Sequence, residues 1–174
     1  MAEIVLAIAI LTNPCRPPQG AEVARKVVPL TAYYLPSEND GWSGKQMPGL
    51  PGTTVQREFW KAVQMNGTGI LSDGRFVVIQ GTGFRQVPKP IGRWGDLSPY
   101  ETAAAHSGLF KAGTTVCFPD LGGLTVEVTD TGGRLGPEGP IDIFVGDKRA
   151  YSAWLKAGPS QALTLSWKEE KNDN

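Results

Sequence analysis

Apolar positions along this chain fall into short runs separated by glycine and proline, and the period changes from one run to the next. Residues 27–35 are β-branched and aromatic and close on a turn cluster at 36–41, which predicts a strand. Residues 41–54 carry too much glycine and proline for regular structure and read as a surface loop. Val55, Phe59 and Val63 then recur at helical spacing, with Thr54 as the expected N-cap. Asp73-Gly74 sits between apolar segments as a hairpin turn would, and residues 81–98 read again as a loop, carrying Trp94. The last third is the most regular: strands at 113–118, 124–130 and 140–145, a helical stretch at 150–156 and a strand at 163–167. Many short strands with Gly-rich turns, and one connection long and helical enough for a crossover, favour a closed β-barrel over a parallel α/β sheet.

Composition narrows this picture. With 174 residues the chain suits one core, expected over residues 27–168 with an insertion at about 41–98 and a polar tail at 169–174. Lys plus Arg equals Asp plus Glu at 17 each, with no block of like charge, so neither nucleic acid nor an anionic membrane is expected as partner. The apolar core near the N-terminus, about eight residues long, is far short of a bilayer span. Glu3 stands where an export signal carries positive charge, so residues 1–26 read either as an additional element of the domain or as a degenerate export signal. Cys15 and Cys117 do not form a CxxC pair and have one histidine in the whole chain to join them, which argues against structural zinc. A disulfide and two buried thiols both remain open, with the thiols favoured.

Two carboxylates carry the candidate chemistry. Asp130 ends a strand before Thr131-Gly132-Gly133, where an aspartate commonly does no more than cap a turn. Asp142 interrupts an apolar strand, with Ile141 and Ile143 on one face and Asp142 and Phe144 on the other. That second face is a wet groove, or else Asp142 is buried and paired or protonated. A carboxyl beside an aromatic ring with a second carboxylate nearby is how a general acid is kept protonated near neutral pH. The lone His106 is by itself more often a surface or capping residue.

Four segments together resemble the catalytic barrel of membrane-bound lytic murein transglycosylase A and the three-aspartate (3D) domain proteins. Leu30-Thr31-Ala32-Tyr33-Tyr34-Leu35-Pro36 is similar to that family's T-G-Y-Y-x-P strand. Residues 63–69 with Ser72-Asp73-Gly74-Arg75 resemble its I-Q-G-S-G…D-G-R segment, Asp130 to Gly133 its D-T-G-G turn, and Ile141 to Gly146 its R-x-D-x-F-x-G strand. The resemblance implies a six-stranded double-psi β-barrel and a lytic cut of peptidoglycan between N-acetylmuramic acid and N-acetylglucosamine, leaving a 1,6-anhydro sugar. It implies Asp142 as the acid and then the base, Asp130 as its partner, and no metal or other cofactor. Where the family's first aspartate is expected, this chain has His106; Ala104-Ala105-His106 resembles instead a segment of rare lipoprotein A transglycosylases and expansins, which makes His106 a third candidate.

A glycan groove also needs aromatic platforms and hydrogen-bonding groups. Tyr33, Tyr34, Trp42 and Trp94 are candidates for stacking, and Thr31, Thr68, Thr131 and Gly132 for polar contact, whereas Trp60, Trp154 and Trp167 fall in amphipathic elements and are expected in the core. The expected partner is a peptidoglycan strand met outside the cytoplasm by a monomer. The alternatives are an expansin-like barrel that binds wall glycan without cutting it, and a barrel kept as an assembly module.

Overall fold

The computed structural model describes residues 15–132, 136 and 138–168. Eleven strands and two α-helices follow in the order β1 (Ala24–Tyr33), β2 (Gln46–Pro48), β3 (Thr54–Gln56), α1 (Arg57–Asn66), β4 (Thr68–Ile70), β5 (Phe76–Gln80) and β6 (Gly83–Val87). The chain continues through β7 (Thr102–Ala104), β8 (Thr114–Phe118), β9 (Leu124–Asp130), β10 (Ile141–Phe144), α2 (Lys148–Ala157) and β11 (Gln161–Lys168). Among the described residues no helix is long and apolar enough to cross a membrane.

Six strands close into a barrel in the order β1-β10-β7-β9-β8-β11, with β11 pairing back on β1. The pairs β1/β10 and β7/β9 are parallel and the others antiparallel. Alternation sorts the side chains: Val28, Leu30, Ala103, Val116, Val126, Val128, Ile141 and Ile143 form one buried cluster that fills the barrel. Helix α2, capped by the Asp147 carboxylate on the Ala150 N–H, packs Ala150, Tyr151 and Trp154 against that cluster. Strand β1 begins earlier than its apolar run because Ala24, Arg25 and Lys26 are held by backbone pairing with β11, not by burial.

The segment between β1 and β7 is not a loop insertion. Strands β2 and β3 form a hairpin, β4-β5-β6 a second small sheet, and α1 packs between them. Leu50, Val55, Phe59, Val63, Leu71, Val77 and Phe84 make its own buried cluster, joined by Trp42 and Trp60. Thr54 is therefore a strand residue opposite Pro48, and the helix starts after Gln56, which makes no side-chain cap. The helical spacing at 55–63 is real from Phe59 onward, while Val55 reaches the same cluster from β3. The 81–98 segment likewise contains β6, and the turn at Asp73-Gly74 joins β4 to β5 with Gly74 at φ +86°.

A third cluster fastens this satellite to the outside of the barrel: Leu35, Leu97 and Phe144 are buried, with Tyr33, Ile70 and Phe76 packed on them. The Ile70 N–H donates to Pro36 O, and the Ser72 N–H to Glu38 Oε2, across the same seam. The favoured pair of thiols is corrected to a disulfide between Cys15 and Cys117, with Cα atoms 5.6 Å apart and a sequence separation of 102. Separation along the chain hid their meeting, since Cys117 is a fully buried residue of β8 and Cys15 precedes the first strand.

Candidate active site

The registers of four adjacent strands set one row of side chains. Thr31 on β1 pairs with Asp142 on β10, Asp142 with Ala104 on β7, and Ala104 with Asp130 on β9, where the ladder shifts by a residue between Ala103 and Ala104. Because Ile141 and Ile143 point into the barrel, Asp142 points out of it, onto the face the satellite partly covers. The two carboxylates are thus neighbours-but-one with a methyl group between them.

Their surroundings differ. Asp130 is 9% exposed, and its Oδ1 accepts from the backbone N–H of Arg93 at 2.8 Å and of Thr131 at 2.7 Å. Burial raises its pKa, opposed by those two hydrogen bonds and by the Arg93 charge. Asp142 is half-buried, and burial alone pushes its carboxyl up to about 6, with no hydrogen bond or charge among the described residues opposing it. One carboxylate is fixed by donors, and the other is free to hold a proton near neutral pH.

A loop delivers the donor to Asp130. After β6 the chain turns through residues 90–97, where the Gly92 N–H donates to Gly95 O at 2.8 Å and Ile91 bridges Asp96. The loop lies directly on β9: the Trp94 N–H donates to Thr129 O at 2.8 Å, and a Cβ on Gly92 would stand 2.7 Å from Asp130 Cβ. Thr68 holds the other side, its hydroxyl donating to Ile91 O at 2.8 Å and accepting from the Ile91 N–H at 3.1 Å. Thr68, expected as a polar contact, is fully buried with its hydroxyl engaged in support of this loop. Gly92 and Arg93 had no signal in the sequence, and Ala104 none for its place between the carboxylates, because these roles exist only once the strands are in register.

The other candidates separate by face. Thr31 is exposed at one end of the row. Tyr33, two residues on, shares its side of β1; its ring packs on Phe144 at 5.3 Å between centroids, and burial with the fields of Asp130 and Asp142 raises its phenol pKa. Tyr34 packs instead on Tyr151 at 5.0 Å and lines, with Trp42, Lys61, Met65 and Asn66, an open cleft that Tyr33 also borders. Trp42 is held on Phe59 and donates its Nε1–H to Ser37 O. Trp94 is 37% exposed beside Arg93, and Thr131 and Gly132 are partly exposed after Asp130; Gly133 lies outside the described residues. His106 follows β7 two residues past Ala104, and its Nδ1 accepts from the Gly108 N–H at 3.0 Å, so it makes a local turn and no hydrogen bond to either carboxylate. Trp167 is buried, and Trp60 and Trp154 pack on the two main clusters.

A solved structure of E. coli MltA with bound chitohexaose matches this chain with a TM-score of 0.55, over 83% of this chain and 72% of that one, at 12% identity. The fold is that of MltA. A second E. coli MltA structure matches at a TM-score of 0.49 with 14% identity, covering 83% of this chain and 73% of that one. The lytic transglycosylase LtgG of Burkholderia pseudomallei matches at 0.43 with 17% identity, covering 82% and 71%. No protein-family model matches the sequence, and no curated protein matches it. In this chain the MltA fold consists of the six-stranded barrel, the satellite against it, and between them the face that carries Asp142 and Asp130.

Proposed function

We propose that this protein is a peptidoglycan lytic transglycosylase in which Asp142 is both general acid and general base. The observation that carries the reading is the asymmetry of the row: a proton-holding carboxyl at Asp142, with its pKa near 6, next but one to a hydrogen-bonded carboxylate at Asp130. Asp142 gives its proton to the glycosidic oxygen between N-acetylmuramic acid and N-acetylglucosamine, and the C1–O bond breaks. Asp130 stabilises the positive charge that develops on the ring. The muramyl 6-hydroxyl then attacks C1 and returns its proton to Asp142, which closes the 1,6-anhydro ring and restores the acid without consuming water. One acid/base suffices because the nucleophile belongs to the sugar, unlike a hydrolase with two carboxylates at a set separation.

Thr31 at the end of the row, Trp94 on the loop that holds Asp130, and Thr131 and Gly132 beyond it are the groups proposed to contact the strand. The Cys15–Cys117 disulfide supports action in an oxidising compartment outside the cytoplasm, where this substrate lies. Digestion of purified sacculi followed by mass spectrometry tests the reading. Anhydro-muropeptides from the wild type and none from Asp142→Asn are expected. Reducing-end products would make the protein a hydrolase, and binding without cleavage would make it an expansin-like barrel.

A further inference from the structure

One polar group beside the row has no part in that mechanism. The Tyr33 hydroxyl is buried and has no hydrogen-bond partner among the described residues. Its ring packs on Phe144 at the edge of the cluster that joins satellite to barrel, which holds the hydroxyl out of water. Tyr33 pairs with Phe144 as Thr31 pairs with Asp142, which makes Tyr33 and Asp142 diagonal neighbours on one face of the β1/β10 ladder. Burial first, and then the fields of Asp130 and Asp142, raise the phenol pKa, so it stays protonated throughout the working pH range. The charged groups facing this cluster are Asp130 from β9, Asp142 from β10 and Arg93 from the loop; β7 presents Ala104 and β1 presents Thr31, neither of which titrates.

A buried donor without an acceptor is costly, and a carboxylate is the strongest acceptor at hand. The Asp130 Oδ1 already receives two N–H groups, whereas Asp142 receives none. We propose that Tyr33 is a positioning residue for Asp142: a permanently protonated hydroxyl behind the row that donates to the Asp142 carboxylate once the acid has given up its proton. The hydrogen bond is stronger to the carboxylate than to the neutral carboxyl, so it favours proton release to the glycosidic oxygen and orients the carboxylate for its second task. This rests on the acid/base reading of Asp142, and it gives a buried tyrosine a different role from the sugar-stacking one expected of it.

The test is the titration of the Asp142 carboxyl, followed by carbon NMR in the full, substrate-free chain as wild type and as Tyr33→Phe. Loss of a donor to the charged form moves the Asp142 titration up by about one pH unit. In sacculus digestion the same variant loses about tenfold in kcat with KM little changed, and the pH limb assigned to Asp142 moves with the titration. Should Tyr33→Phe fail to fold, 3-fluorotyrosine at every tyrosine, a stronger donor, moves the titration down. An Asp142 titration that stays put in the folded variant, or in the fluorinated protein, overturns the proposal. The two readings separate cleanly: a shifted titration in a protein yielding no anhydro products leaves the coupling and removes the transglycosylase reading. Anhydro products with an unshifted titration do the reverse.

Discussion

Asp142 and Asp130 lie in one cross-strand row with only the methyl of Ala104 between them, and hydrogen bonds hold one of the two. Their surroundings, not each other, decide which keeps its proton. Two backbone donors lie on Asp130, while Asp142 has burial alone. The division of labour thus follows from where the 90–97 loop lands, and it is testable through stability as well as activity.

Asp142 makes the fold sensitive to pH in a direction fixed by its raised pKa. Below about pH 4 the carboxyl is protonated both folded and unfolded, so it contributes no difference. As pH rises toward 6 the unfolded chain loses the proton first, the folded chain binds more protons, and stability falls. Above pH 6 the full cost, about 3 kcal/mol, is present. Asp142→Asn removes it: urea denaturation gives a variant more stable than wild type at pH 7 by up to that amount, and little changed at pH 3.5, while cleavage is lost. Equal effects at the two pH values would show that burial does not hold this proton.

The loop over Asp130 admits a test that leaves both carboxylates in place. Gly92→Ala puts a methyl 2.7 Å from Asp130 Cβ and 2.9 Å from Thr129 O, so the loop must lift and the Arg93 N–H leaves Oδ1. Overpacking of this kind costs about 1–3 kcal/mol. Thr68→Val, from the other side, strands the Ile91 backbone groups and costs about 2 kcal/mol. Both variants are expected to remain folded by circular dichroism and to lose most of their activity on sacculi, more than a stability loss of that size explains. Wild-type turnover in Gly92→Ala would show that the loop does not set the site.

Where the chemistry is local, the sequence was readable. The alternation Ile141-Asp142-Ile143 exposed Asp142 because period two assigns faces without knowing the partner strand. The strands at 113–118, 124–130 and 163–167 were legible for the same reason, and the closed barrel followed from their spacing. What stayed hidden depends on register between distant segments: Ala104 as the spacer, Gly92 against Asp130, Thr68 under Ile91 and Cys15 beside Cys117. The hairpin at Asp73-Gly74 was legible, whereas β2 and β3 are three residues each, too short for alternation to rise above their glycine and proline. Thr68 and Tyr33 read as candidates for polar contact and for stacking, yet one is fully buried and the other holds its hydroxyl out of water.

The disulfide closes a long loop, from ahead of the first barrel strand to the middle of β8. Constraining about 100 residues of unfolded chain is worth roughly 4–5 kcal/mol in the chain-entropy account. Cys15→Ser leaves a buried thiol at Cys117 and is expected to lower stability by an amount of that order, with dithiothreitol doing the same to the wild type and nothing further to the variant. A thermal melt in reducing buffer identical to that in oxidising buffer would rule out the bond as a staple.

Tyr100 is the one non-glycine residue with positive φ among the described residues, at 60°, and its side chain is 42% exposed. A bulky L-residue there pays roughly 1 kcal/mol in backbone strain. The turn around it explains why the conformation persists: the Glu101 and Thr102 N–H groups both donate to Ser98 O, and the Tyr100 N–H donates to Phe144 O at 2.7 Å. That last bond joins the start of β7 to the end of β10, and so fixes the register that puts Ala104 opposite Asp142. Asparagine tolerates the left-handed region and keeps the N–H, whereas a β-branched residue does not tolerate it. Tyr100→Asn is therefore expected to raise stability by about 0.5–1 kcal/mol, and Tyr100→Val to lower it by 1 kcal/mol or more and to reduce cleavage as the register loosens. Denaturation curves of the two variants check the order, and a Tyr100→Val protein as stable as Tyr100→Asn would mean that the turn relaxes out of positive φ without disturbing the strands beside it.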